Sequence, residues 1–322
     1  VAVASLAGLG SAFYPYLIYF GAWLIADGPY MALLTLTLLT AVALQKSFGL
    51  GHKLSGISDL GRPQRIAPTD QHSPICHVIL AAILGVLLGL DILMKPTTLM
   101  LLPPLLFWFL FALDKCRWVT RLALGFLTLV VMLSVIAPWT LRNYKVTGDW
   151  ILVSANGGYT LYGANNPDAF GGHRAGSPIR DPRKPAAAEE REFYRRALIW
   201  IRQNPQDFLA LVPKKVMRLF SPLAVASMED PYPLPFAGWV YLLYGLFLTC
   251  AFWGIARSLN NWRAFSVLYI PILGVLLSTI LFYGDTRYSL PMVPSLILFA
   301  AKAIVDAMGS LRADSSRPQR WA

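Results

Sequence analysis

Apolar runs of roughly 20 residues recur along the chain, and that recurrence predicts helices that cross a membrane. They lie at 2–26, 28–45, 76–94, 97–113, 119–139, 236–256, 264–283 and 289–308. Two polar stretches interrupt them. Residues 46–75 are rich in Gly, Pro and Ser without an apolar period, which predicts an irregular loop. Residues 140–235 are more structured. "WILVS" (150–154) reads as a strand, and Asn156-Gly157-Gly158 as a turn needing positive φ. "AAAEEREFYRRALIWIRQ" sets Phe193, Ala197, Trp200 and Ile201 at helical spacing. Asn204-Pro205-Gln206-Asp207 then supplies an N-cap, a first-turn proline and a first-turn acid, so a second helix follows to about residue 220. Its Lys214, Lys215 and Arg218 beside Leu211, Val216 and Leu219 predict a basic amphipathic helix in the membrane interface. The expected fold is an all-α polytopic membrane protein of about eight transmembrane helices with a small extracytoplasmic cap. Its regions are 1–139, 140–235 and 236–322.

Composition agrees: of 322 residues, 56% are hydrophobic and 14% charged, with a mean hydropathy of +0.52. A soluble domain carries about 25% charged residues. The net charge of +11 would suggest nucleic acid in a soluble chain. Here the cations sit between apolar runs, so topology accounts for them and no nucleic-acid partner is implied. Lys46, Lys53, Arg62 and Arg65, then Lys115, Arg117 and Arg121, then Arg257 and Arg263, then Arg312, Arg317 and Arg320 fall in alternate connections. The other connections hold little beyond Asp27, Lys95, Asp285 and Arg287. Positive charge marks the cytoplasmic side, which puts residue 1 inside and 140–235 outside. Three cysteines, and His52, His72, His77 and His173, show no ligand spacing. No metal site or other cofactor is predicted, and a divalent cation stays open.

With this sidedness, four junctions bring polar side chains to one outer surface. Asp27 lies between the first two runs, Lys95-Pro96 between two others, Arg142-Asn143 just beyond Trp139, and Arg287-Tyr288 at the head of the last. Arg offers a planar fork to phosphate oxygens and Lys a point charge, so a lipid-linked phosphate or pyrophosphate suits the set. The plainer alternative is that each cation is a snorkelling anchor. Asp91 and Lys95, four apart on one helix, simply neutralise each other on that reading. Tyr162, Asn165 and Asn166 have the chemistry of a sugar contact, although turn formation alone accounts for the asparagines.

The run "PWTLRNYKVTGDWILVSANGGYTLYGANNPDAFGG" resembles the outer loop of bacterial glycosyltransferase family 39-like proteins. These belong to the GT-C superfamily, with protein O-mannosyltransferases and the aminoarabinose transferases of lipid A. "YPYLIYFGAWLIADGPYMALL", "ILGVLLGLDILMKPTTLMLLPPLL" and "YGDTRYSLPMVPSLILFAA" are similar to other family segments, in family order. The resemblance implies a bacterial inner-membrane enzyme that passes a sugar from a polyprenyl-phosphate donor to a lipid, glycan or protein acceptor. With the outer-face reading, it makes Asp27, Lys95, Arg142, Asn143, Tyr162, Asn166, Arg287 and Tyr288 the expected donor or acceptor contacts. Lys95, Arg142 and Arg287 would take the phosphate, and Asp27 a sugar or acceptor. The family's catalytic carboxylate lies in a first outer loop, between two spans that precede the region matching Val1–Asp27. It has no counterpart here, so the catalytic residue is unknown and the chain reads as truncated. A lipid-linked sugar transporter or flippase, and a non-catalytic remnant that binds polyprenyl phosphate, are the competing expectations.

Overall fold

A computed structural model describes residues 2–12, 27–49, 73–172, 181, 185–221 and 237–315. Among these residues the protein is entirely helical, without a strand. The helices are α1 (Ala2–Ala12), α2 (Asp27–Ser47), α3 (Pro74–Met94), α4 (Leu102–Phe111), α5 (Trp118–Thr147), α6 (Gly157–Ala164), α7 (Ala186–Gln203), α8 (Pro205–Leu219), α9 (Ala237–Ser258), α10 (Ser266–Leu281) and α11 (Val293–Ser315). Short 3-10 turns, Pro96–Leu101, Leu259–Phe265 and Thr286–Met292, lead into α4, α10 and α11.

Five helical stretches are long and apolar enough to cross a membrane: Asp27–Ser47, Pro74–Met94, Trp118–Thr147, Tyr241–Leu281 and Thr286–Ser310. The fourth is divided at Asn261, whose backbone is not helical. Pro96–Phe111 and Ala2–Ser11 are apolar but shorter. The protein is thus a helical membrane protein. Of the expected 2–26 run, only the first half is described. Most of the expected inner loop 46–75 lies outside the described residues, as do His52, His72 and His173.

Packing follows from small residues and apolar faces. Gly85 and Gly89 lie four apart on α3, where α5 crosses closest. A Cβ on Gly85 would fall 2.6 Å from the Thr128 carbonyl, and one on Gly89 2.7 Å from Val135 Cβ. Such small-xxx-small spacing lets membrane helices approach closely enough for van der Waals contact to hold them. Thr128 also donates to the Ala81 carbonyl across this seam. Leu34, Leu84, Leu88, Ile92, Trp108 and Ile136 form the main core among α2 to α5. Phe299, Leu296 and Ala300 of α11 pack on α9 and α10.

The described connections gather at two ends of the bundle. At one end Lys115 donates to the Gly49 carbonyl at 2.7 Å, and Arg263 pairs with Asp114 at 3.0 Å. Arg121 caps three carbonyls there, those of Leu110, Asp114 and Cys116. This is the basic end. Asp27, Lys95 and Arg287 meet at the other.

Helix α5 departs from expectation. It does not stop near residue 139 but continues through Pro138 for 30 residues. At 1.5 Å per residue it is about 45 Å long, well over the ~30 Å hydrocarbon thickness. It ends at Gly148, whose φ of +73° is the left-handed C-terminal position that glycine favours. "WILVS" is not a strand, because no strand pairs with it among the described residues. Its carbonyls are taken by α5 instead: Trp139 Nε1 and Asn143 Nδ2 donate to Val153 at 2.9 and 3.2 Å, Thr140 to Leu152 at 2.8 Å, and Asn143 to Ile151 at 3.1 Å. Gly157 and Gly158 do not take positive φ either; they open α6. Their bare backbone admits α7, since a Cβ on Gly158 would stand 2.3 Å from the Glu190 carbonyl.

Candidate functional site

Three breaks in regular structure build the site. Asp27 is the first residue of α2, where a carboxylate meets the positive end of the helix. Lys95 separates α3 from the turn before α4. Pro96 disfavours helical geometry in its predecessor, and Lys95 is extended at φ −144°, ψ 99°. That break swings its side chain away from the helix axis. Arg287 lies in the turn before α11, which Asp285 caps by accepting from the Arg287 backbone N–H at 3.0 Å.

These residues, far apart in sequence, converge. Lys95 Nζ donates to Asp27 Oδ1 at 2.7 Å, and Arg287 Nε to Oδ2 at 2.6 Å. Asp27 is 1% exposed, whereas the Arg287 side chain is 41% exposed. The buried carboxylate is therefore shared between an enclosed cation and an accessible one. Burial pulls the Lys95 ammonium below its ordinary value, against the opposing pull of Asp27. The ammonium sits over two rings, 5.2 Å from the centre of Tyr30 and 5.4 Å from that of Tyr288. Aromatic faces add attraction for a desolvated cation. Thr98 donates to the Tyr30 hydroxyl at 3.1 Å, and the Tyr283 and Tyr288 hydroxyls lie 2.7 Å apart. Burial pushes the Tyr283 phenol up, so it stays protonated. A cavity of about 20 Å³ beside Lys95, Tyr30, Thr98, Ser278 and Tyr288 has room for about one water.

Of the residues singled out in the sequence, Asp27, Lys95, Arg287 and Tyr288 form this cluster. Arg142 is not joined to it. Its guanidinium lies 4.9 Å from the centre of the Trp139 ring and donates to Asn143 Oδ1 at 3.3 Å, on an exposed turn of α5. The extra helical turns beyond Pro138 carry it there. Asn143 is buried and holds residues 151–153, as described. The Tyr162 ring stacks on Phe193 at 6.1 Å. Asn166 closes its own turn, donating to the Tyr162 carbonyl at 2.8 Å and accepting from the Asp168 N–H at 2.8 Å. Lys95 does not neutralise Asp91: its ammonium turns to Asp27, and Asp91 accepts instead from Thr37 at 2.6 Å.

A fully buried cation was not foreseen. Lys215, expected at the membrane interface, is 0% exposed. Its ammonium donates to Asn165 Oδ1 at 2.8 Å and to the Ile280 carbonyl at 3.2 Å. Asn165 in turn donates to the Leu281 carbonyl at 2.8 Å. Ile280 and Leu281 end α10, where helix carbonyls lack partners. Burial pushes the Lys215 ammonium down to about 8. Close contacts surround this latch. Gly284 donates to the Gly171 carbonyl at 3.0 Å, and a Cβ on Gly284 would stand 1.8 Å from the Lys215 carbonyl. Thr286 donates to the Ser221 carbonyl at 2.7 Å. Helix α8 thereby fixes the segment 284–287 that presents Arg287. The sequence held a signal for this: Leu211, Lys215 and Leu219 share one helical stripe at four-residue spacing, and all three are buried.

No group of three or more His, Cys, Asp or Glu side chains suited to a metal ion occurs among the described residues. No protein-family model matches the chain, and neither a curated protein nor a solved structure is similar to it.

Proposed function

We propose that the protein is a membrane glycosyltransferase of the GT-C kind, taking a sugar from a polyprenyl-phosphate donor on the outer side of the bacterial inner membrane. The observation that carries the reading is Asp27 shared between Lys95 and Arg287 at one end of the bundle. An anion already occupies the space between two cations, one of them accessible. A donor phosphate fits the same place chemically. It pairs with Arg287 through the guanidinium fork and with Lys95 as a point charge, and Asp27 turns to a sugar or acceptor hydroxyl. As the sugar leaves, the cations stabilise the charge that develops on the phosphate. Arg142 stands apart, so the phosphate set is Lys95 and Arg287. No general base is assigned.

The proposed topology has eight spans, with the basic end cytoplasmic and residues 140–235, including α6 to α8, outside. A cysteine-free variant carrying Gln203→Cys tests it. An impermeant thiol reagent should label intact cells, and labelling only after lysis reverses the map. Gln203 suits the test because it is exposed.

The functional test uses the intact protein in proteoliposomes with a polyprenyl-phosphate-linked sugar. Arg287→Ala should lower transfer by roughly tenfold or more, as loss of a charge-assisted bond of about 1.5–3 kcal/mol implies. Unchanged transfer and donor binding would remove the site. One observation favours a second reading, a lipid-linked sugar transporter: Asp91 is an acid buried within a span, the kind of residue that serves ion-coupled transport. Flux without chemical transfer, lost in Asp91→Asn, would select it.

A further inference from the structure

At the basic end, α1, α2, α10 with the turn before it, and α11 border a partly open cavity of about 270 Å³. Its walls are apolar, formed chiefly by Val42, Phe265, Leu298 and Phe299. Two lysines line it as well, Lys46 on α2 and Lys302 on α11. Its volume is close to the lower end of the range that holds small ligands, roughly 300–1,000 Å³. In a membrane protein an apolar recess with cations on its lining matches a molecule having an apolar tail and an anionic head.

The two lysines are differently committed. Lys46 is exposed, and no carboxylate pairs with it among the described residues. Lys302 pairs with Asp306 and lies 5.7 Å from the centre of the Phe265 ring. One carboxylate uses only part of an ammonium group that carries three donors. Gln45, beside Lys46, is already engaged: it donates to the Arg263 carbonyl at 2.6 Å. The polar capacity left at the cavity is therefore cationic.

We propose that this cavity binds one anionic phospholipid, its acyl chain between α2, α10 and α11 and its phosphate between Lys46 and Lys302. The charge of the lining selects the occupant. A zwitterionic lipid would fill the apolar volume equally but would bring its own cation to the lysines. Basic pockets between membrane helices bind acidic headgroups in this way. The site has a structural consequence. Helix α2 carries Asp27 at its far end, and the turn leading into α11 carries Arg287. A phosphate across Lys46 and Lys302 ties the last turn of α2 to the middle of α11.

The test is competitive binding to the full chain, purified in detergent, from an equimolar mixture of phosphatidylglycerol and phosphatidylcholine, read by native mass spectrometry. Phosphatidylglycerol should be preferred by roughly fivefold to 30-fold, about fivefold for each lysine and less where Asp306 offsets Lys302. Lys46→Gln/Lys302→Gln should abolish the preference, and Lys46→Gln alone, at an exposed position, should reduce it without unfolding the protein. Ala264→Phe, which fills the cavity, should lower retention of phosphatidylglycerol. Arg117→Gln/Arg257→Gln removes the same charge from exposed positions at that end and should leave the preference intact. Equal retention of the two lipids overturns the proposal. So does a control pair that erases the preference as fully as the cavity pair. Competition by inorganic phosphate as effective as that by the lipid would show a phosphate site without a tail pocket, and overturns it too.

Discussion

Asp27 and Asp91 are both carboxylates on the helices of one bundle, and both are almost inaccessible, at 1% and 0% exposure. Their surroundings are opposite. Asp27 stands at a helix start with a cation on each oxygen. Asp91 lies inside α3 with the Thr37 hydroxyl on one oxygen and no partner for the other among the described residues. An isolated buried charge is costly enough that it is either paired or neutralised. The difference therefore separates two ways of placing an acid in a membrane protein. At a break between helices, side chains from three elements reach one point. Within a helix, only the facing helix is in reach, and here it offers a hydroxyl.

The sharpest way to break the comparison is to remove the paired acid. Asp27→Ala leaves the half-buried Lys95 without its counter-ion. Losing one partner of a buried pair costs about 3–5 kcal/mol. The Arg287 half adds less, because that side chain is 41% exposed and screened by solvent. The thermal midpoint in detergent should fall sharply for Asp27→Ala and recover in part when Lys95→Met is added. No recovery would mean that Asp27 acts mainly through the start of α2.

Lys215 extends the comparison to a buried cation that has only neutral partners. Its folded value, about 8, lies below the ordinary 10.5 because burial disfavours the charged form. Between those values the unfolded chain holds a proton that the folded chain has released. Stability should then rise with pH across that window, by on the order of 3 kcal/mol, and the penalty should be fully present below about 8. Other groups titrate nearby, so the readout is the difference between wild type and Lys215→Met. The slope should be absent in the variant whatever its absolute stability. Parallel curves would contradict the buried ammonium.

Asn143 carries the same logic to a neutral group. Its amide closes two carbonyls of the segment that follows α5. Asn143→Ala takes the donor from the Ile151 carbonyl, while Val153 keeps Trp139 Nε1, at a cost of about 1–3 kcal/mol if the Ile151 carbonyl stays buried. Amide hydrogen exchange should accelerate at 150–154 and remain unchanged in α3. Uniform acceleration would indicate a global effect instead.

How far these environments were legible depended on where each residue sits relative to a break. Asp27, Lys95 and Arg287 each adjoin the end of an apolar run, and alternating charge along the chain placed those ends together. Pro96 announced the extended Lys95. The Asn204-Pro205 pair similarly marked the junction of α7 and α8. Arg142 misled because a proline at 138 suggests an ending, whereas α5 runs on and lifts Arg142 away from the cluster. The apolar, β-branched run of 150–154 suggested a strand, yet a strand needs a neighbour, and α5 side chains took the carbonyls first. Lys215 looked like a solvated charge because its partners, Asn165 and the end of α10, are remote in sequence. Its place between Leu211 and Leu219 was the available sign.

The smallest expected effect returns to Asp91, and the argument turns on one proton. The Thr37 hydroxyl lies 2.6 Å from Asp91 Oδ2 and 3.1 Å from the Leu33 carbonyl one turn back. A hydroxyl has a single proton to give. If Asp91 is ionised, Thr37 must donate to it, and the other carboxylate oxygen stays buried without a donor. If Asp91 carries a proton, it donates to Thr37, Thr37 donates to Leu33, and the buried negative charge disappears. An asparagine reproduces the second arrangement, because its amide donates where the acid O–H would. Asp91→Asn should therefore shift stability by no more than about 1 kcal/mol, the worth of one neutral hydrogen bond. Asp91→Leu should cost more, through the lost bond and the changed shape. A loss from Asp91→Asn comparable to that from Asp27→Ala would show that Asp91 holds a charge, and would remove the contrast between the two acids.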